Sequence, residues 1–217
     1  MKLNTAKGMR DFGPEDKILR DSVIKNLIDL FENYGYSSLE TPIVERYDVL
    51  SSKFGAGEGT DVMKEIFKLT DQGKRKLGLR FDLTVPFARY IAMNPNLKMP
   101  FKRYQIGEVF RDGPIKLGRY REFWQCDVDV VGSKNMLADA ELVKLALDFF
   151  SKIGLDAYIE INNRKVLQSL ILSLGFVKKD LKKIMISLDK LNKIGVVSVK
   201  KELSKFSSKK DADRLIN

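Results

Sequence analysis

The 217 residues suffice for one substantial domain with a small appendage, and an apolar content of 44% suits a soluble globular protein. No run approaches the ~20 apolar residues of a membrane span, and the N-terminal MKLNTAKGMRDF lacks the hydrophobic centre of a secretion signal. Zero histidines and one cysteine, Cys126, exclude an internal disulfide and remove imidazole acid–base chemistry and most metal sites, while a net charge of +10 favours an anionic partner.

Gly13-Pro14-Glu15-Asp16 opens a predicted helix whose early acidic residues complement its dipole. Ile18, Leu19, Val23, Leu27, Leu30 and Phe31 recur along it at helical spacing, and Gly35 lies just past its end. Residues 37–41 read as a strand ending at Pro42. Residues 55–60, GAGEGT, form a glycine-rich loop with neither a Walker lysine nor a dinucleotide fingerprint, and are read as a surface or lid loop. Residues 65–69 and 76–81 predict a hairpin around Asp71-Gln72-Gly73. Asp82-Leu83-Thr84 precede Val85-Pro86, where proline suits a first helical turn; Asp82 or Thr84 either caps that helix or contacts a ligand.

Residues 101–132, FKRYQIGEVFRDGPIKLGRYREFWQCDVDVVG, predict two antiparallel strands joined by a basic loop rich in Gly and Pro. Alternation puts Arg121, Phe123, Gln125, Asp127 and Asp129 on one face of the second strand, and Trp124, Cys126, Val128 and Val130 on the other. The second set suits packing against a core. The first is a candidate ligand floor: carboxylates bind an ammonium or imidazole, and guanidinium forks bind phosphate or carboxylate. The ligand therefore carries both signs of charge. Residues 136–152 predict an amphipathic helix and 156–161 a strand. After Asn162 the texture changes to short lysine-rich helical pieces, which places a domain boundary between 1–162 and 163–217. The first part holds 25 Lys and Arg against 24 Asp and Glu; the second holds 14 against 5. That excess either draws in a polyanion or forms solvated helix faces.

The hairpin resembles motif 2 of class II aminoacyl-tRNA synthetases, and GRYREFWQCDVDVVG is similar to the histidyl-tRNA synthetases in particular. KGMRDFGPED resembles that family's opening, GYSSLETPIVE its motif 1 with Pro42 in place, and LRFDLTVPFARY its amino-acid-binding segment. INNRK and LDKLNKIG look like the archaeal and eukaryotic branch. The resemblance covers nearly the whole chain. It implies an α+β fold, an antiparallel sheet flanked by helices, consistent with the element order, followed by a partial, basic helical insertion.

The resemblance further implies ATP-dependent activation of histidine and its transfer to tRNA(His), with ATP as a substrate, Mg2+, no protein metal site, a homodimer through the region of Pro42, and the cytoplasm as compartment. Arg111 matches the arginine that bridges the amino acid carboxylate and the α-phosphate. Arg119 and Arg121 are expected at the ATP phosphates or the tRNA acceptor end, and Phe123 under the adenine ring. Asp82 and Thr84 are expected at the α-amino group, with Gln125 and Asp129 at the imidazole. Asp127 ranks below Asp129, and Glu108 is either a structural strand residue or a magnesium ligand. Gly113 departs from the family pattern, which often has an acidic residue there to read the adenine amino group; backbone or Asp112 is left for that task. Motif 3 and an anticodon-binding domain are absent from the sequence, so the chain is expected to be a piece of a larger enzyme with little or no activity alone. The alternatives are a non-catalytic regulatory subunit of ATP phosphoribosyltransferase and an RNA-binding module on the same scaffold.

Overall fold

The computed structural model describes residues 3–52 and 61–216. The glycine-rich loop 55–60 lies outside them. The chain divides into two compact units, Met1–Tyr158 and Ile159–Asn217.

The first unit runs α1 (Pro14–Asn33), β1 (Ser37–Ser38), β2 (Val44–Arg46), α2 (Tyr47–Ser52), α3 (Asp61–Lys64), β3 (Lys68–Thr70), β4 (Lys76–Leu79), α4 (Thr84–Met93), β5 (Phe101–Phe110), β6 (Glu122–Val131) and α5 (Met136–Lys152). α1 begins as its sequence dictates, with Pro14 in the first turn behind Gly13 and with Glu15 and Asp16 near the positive end of the dipole. It ends where Gly35 takes a φ of 75°, a conformation that carries little penalty only for glycine. Asn135 caps α5 by accepting the Leu137 amide at 3.0 Å.

The described strands form two three-stranded sheets, β1-β5-β6 and β2-β4-β3. β5 and β6 pair antiparallel over ten residues each, in register from Phe101 opposite Val131 to Phe110 opposite Glu122. β1 pairs parallel to β5 and holds two residues, so the expected strand 37–41 is shorter than its sequence suggested and its sheet is not antiparallel throughout. The run stops well before Pro42, and the Leu39 amide makes one more bond to the Tyr104 carbonyl at 3.0 Å. β3 and β4 form the expected hairpin, shortened to residues 68–70 and 76–79, and turned by Asp71, whose side chain accepts the Arg75 amide at 2.9 Å.

One face of the first sheet, with Tyr104, Ile106, Val128 and Val130, packs on Leu27, Leu30, Phe31, Tyr36 and Leu145 from α1, α5 and the segment that follows α1. This is the apolar side foreseen for β6, with one correction. Cys126 lies across from Ile106 in register but is exposed. A second correction concerns residues 156–161. Among the described residues they join no strand, and Tyr158 and Ile161 are largely exposed. Local β-propensity forms no strand without a neighbour to complete its hydrogen bonds.

The second unit comprises α6 (Arg164–Ser173), a 3₁₀ turn, α7 (Leu181–Leu188), α8 (Leu191–Leu203) and α9 (Lys209–Ile216) around Ile171, Phe176, Ile184, Val199 and Leu203. α8 breaks at Gly195, where φ is 78°. Lysines cover the outside, with Lys178, Lys179, Lys183, Lys209 and Lys210 exposed. No described helix is long and apolar enough to cross a membrane.

Candidate functional site

The face of the β5–β6 hairpin opposite the helices is polar. Its register sets Arg103 across from Asp129, Gln105 from Asp127, Gly107 from Gln125 and Val109 from Phe123. Period-2 alternation thus delivers Phe123, Gln125, Asp127 and Asp129 to one side, as read from the sequence. Along a strand rising ~3.3 Å per residue, Phe123 and Asp129 are separated by roughly 20 Å, so the floor has two ends.

At the far end stands a residue that sequence reasoning missed. Arg103 is fully buried, its Nη2 lies 2.6 Å from Asp129 Oδ2, and its guanidinium lies 4.2 Å from the centre of the Phe87 ring. Burial pushes this guanidinium below its usual range, while Asp129, Asp127 and Asp82 pull it back. Asp127 feels the converse: burial raises its carboxyl, Arg103 lowers it, Asp129 and Asp82 raise it, and the Thr84 hydroxyl lowers it. The cluster therefore gathers Asp82, Thr84, Asp127 and Asp129 about one guanidinium. Asp82 also caps α4, its Oδ1 accepting the Val85 amide at 3.0 Å, which is the capping role foreseen for this segment.

Several polar atoms here are buried without a hydrogen bond within the protein: Arg103 Nε and Nη1, Gln125 Oε1 and Asp129 Oδ2. The Arg103–Asp129 pair is close but not aligned as a hydrogen bond, which is how Oδ2 is both paired in charge and unsatisfied. Such groups are costly unless something completes them.

At the near end, Arg111 Nε donates to the Phe81 carbonyl at 3.0 Å, next to Asp82, and its guanidinium carbon lies 5.0 Å from the centre of the Phe123 ring. Arg111 thus spans from the carboxylate segment to a pocket of about 230 Å³ lined by Glu65, Arg111, Gly113, Arg119, Tyr120 and Phe123. Arg119 is more than half exposed. Arg121 is tied into the loop: Nη1 lies 2.9 Å from Asp112 Oδ1 and Nε donates to the Gly113 carbonyl at 3.2 Å. Asp112 is thereby engaged by Arg121. Glu108 stands across from Trp124, on the helix side of the sheet and away from the polar floor.

On the same face of the sheet, over Gly107, Arg80 is buried and donates to the carbonyls of Thr41 and Glu108, each at 2.7 Å. Gly107 is what admits it, since a Cβ there would lie 2.6 Å from Arg80 Nη2. For Arg103 a signal was present, in Arg-x-Gln-x-Gly facing Asp-x-Asp-x-Gln, but it appears only once the two strands are placed in register.

The model of one family, described as histidyl-tRNA synthetase, matches residues 8–214. Histidine–tRNA ligase 1 of Bacillus cereus is 46% identical over 218 residues, covering 100% of this chain and 51% of that protein. The histidine–tRNA ligase of Aeropyrum pernix is 44% identical over 203 residues, covering 92% of this chain and 46% of that one. The chain thus spans about half the length of the curated relatives it matches. Among solved structures, histidyl-tRNA synthetase from Nostoc has a TM-score of 0.85 at 34% identity, over 100% of this chain and 48% of that one. A Bacillus halodurans protein, titled ATP phosphoribosyltransferase regulatory subunit/histidyl-tRNA synthetase, has a TM-score of 0.82 at 24% identity, over 100% of this chain and 55% of that one, a likeness of fold alone.

Proposed function

Because this chain belongs to the histidyl-tRNA synthetase family, we propose that it carries the part of a histidine–tRNA ligase that binds histidine and ATP and brings them into line. In the whole protein, the histidine carboxylate attacks the α-phosphate of ATP, pyrophosphate leaves, and the histidyl group passes to the terminal adenosine of tRNA(His). Two anions meet in the first step, so the site must neutralise charge and fix geometry. It needs no side-chain nucleophile, which accords with a chain that has no histidine.

The observation that carries the reading is the acidic cluster. Asp82, Asp127 and Asp129 surround a single buried guanidinium, and Gln125 Oε1 and Asp129 Oδ2 lack hydrogen bonds. Three carboxylates against one cation make a floor that attracts an ammonium and accepts imidazole N–H groups. We assign Asp82 and Thr84 to the α-ammonium and Gln125 and Asp129 to the imidazole. Arg111, between this floor and the loop pocket, is assigned to the carboxylate and α-phosphate. Phe123 is assigned to the adenine ring. Arg119 is assigned to phosphates or the acceptor end, as is Arg121, although the ties of Arg121 to Asp112 and Gly113 support that role less. Mg2+ would arrive with the ATP phosphates, which supply its ligands in such sites; among the described residues no three His, Cys, Asp or Glu side chains converge on a metal position.

The exposed lysines of the second unit suit tRNA. Exposed Ile18 and Leu19 on α1 and Val44 beyond Pro42 suit a second copy of the chain. The ligase reading is favoured over a regulatory subunit by the intact GRYREF loop and by 46% identity to a ligase.

Calorimetric titration of histidine into the 217-residue chain tests the reading. Gln125→Met, which keeps the Arg103–Asp129 pair, and Asp129→Asn, which removes its charge, are expected to weaken binding roughly 10- to 100-fold, the loss of a hydrogen bond worth about 1.5–3 kcal/mol. Unchanged affinity in both variants would falsify the assignment. Histidine binding without any tRNA binding would move the chain to the regulatory reading.

A further inference from the structure

Resting on the nucleotide reading of the loop pocket, we propose that Glu65 is the residue that reads the exocyclic amine of the bound purine, and that Gly113 is small in order to admit it. The two are joined at the root of the loop, where the Asp112 amide donates to the Glu65 carbonyl at 2.7 Å. A Cβ on Gly113 would stand 2.8 Å from the Glu65 carboxyl carbon and from Oε1. The Glu65 carboxylate thus occupies the space into which a side chain at position 113 would project. It lines the same pocket as Arg111 and Phe123, and its side chain is only 16% exposed. Its ion pair with Arg119 is stretched to 4.0 Å, the edge of a contact, which leaves acceptor capacity facing the pocket. Asp112, the neighbouring alternative, is held by Arg121 at 2.9 Å.

The chemistry follows from the edges of the bases. Adenine presents an amino group as a donor, whereas guanine presents a carbonyl oxygen at the corresponding position. With the ring plane set by stacking on Phe123, a carboxylate at the rim accepts from the first and repels the second. Glu65 is therefore a specificity-determining residue supplied by a segment remote from the hairpin. Its task is to favour adenine over guanine nucleotides.

Equilibrium dialysis of the 217-residue chain against ATP and GTP provides the test, with thermal melts to verify that each variant folds. The wild type is expected to prefer ATP. Glu65→Ala should lose roughly 10- to 100-fold in ATP affinity while GTP binding holds or improves, the size expected for one hydrogen bond to a charged group. Gly113→Ala should act in the same direction by displacing the carboxylate. Glu65→Ala combined with Gly113→Glu should restore the preference, because the carboxylate re-enters the same space from the other side. An ATP preference that survives Glu65→Ala overturns the inference and leaves the nucleotide reading standing. A wild type that binds neither nucleotide overturns both, which separates the two failures.

Discussion

Asp127 stands beside Arg103 with two further carboxylates facing it, and its titration tests the proposed role of the floor. Burial chiefly, then Asp129 and Asp82, raise its carboxyl above the ordinary aspartate range against the pull of Arg103 and Thr84. A folded value above the unfolded one means that folding favours the protonated form. The stability this group contributes is therefore full below the unfolded value and is lost as pH rises through the folded one. A bound ammonium reverses the preference and drives Asp127 to ionise. Histidine binding at a pH between the unfolded and the folded values of this carboxyl should then release protons from it, visible when titrations are repeated in buffers of different protonation enthalpy. Asp127→Asn should release fewer, and equal release by both proteins would contradict the placement. Most of this cluster was legible beforehand, since alternation alone assigns Gln125, Asp127 and Asp129 to one face. Arg103 was not. A lone arginine in a strand reads as a surface residue, and only the register opposite Asp129 explains why it is buried. Glu65 was hidden for a similar reason, because its meaning depends on the empty position at Gly113.

Among the elements, the β5–β6 hairpin carries the candidate site, and Arg80 joins it to the second sheet. The Arg80 amide donates to Ile43, its carbonyl accepts from Phe110, and its guanidinium reaches Thr41 and Glu108. Gly107 leaves the opening for that guanidinium. Gly107→Ala should force Arg80 from its two carbonyls and destabilise the protein by about 1–3 kcal/mol, the usual cost of overpacking. Urea denaturation measures this, and an unchanged midpoint would show that Arg80 adapts freely. The long helices and the hairpin were readable because their periodicities run for ten residues or more. The short pieces were not. β1 shrinks to two residues and residues 156–161 form no described strand, because pairing partners rather than propensity decide such segments.

On the scale of the whole molecule, charge and chemistry occupy different units. The near-neutral first part holds the carboxylate floor and the loop pocket, and the lysines are concentrated in the second. That separation was legible from counting alone; the position of each lysine on its helix was not, since it depends on which face packs around Ile171 and Ile184. The first sheet ends at β6, which bonds to β5 along one side and to no described strand along the other. A strand bordered on one side directs every second amide outward, where solvent deuterium can reach it. Exchange along residues 122–131 should therefore keep a two-beat rhythm, quick and slow by turns. Uniform protection would mean that another backbone has closed over this border and that the site's own floor is sealed along it.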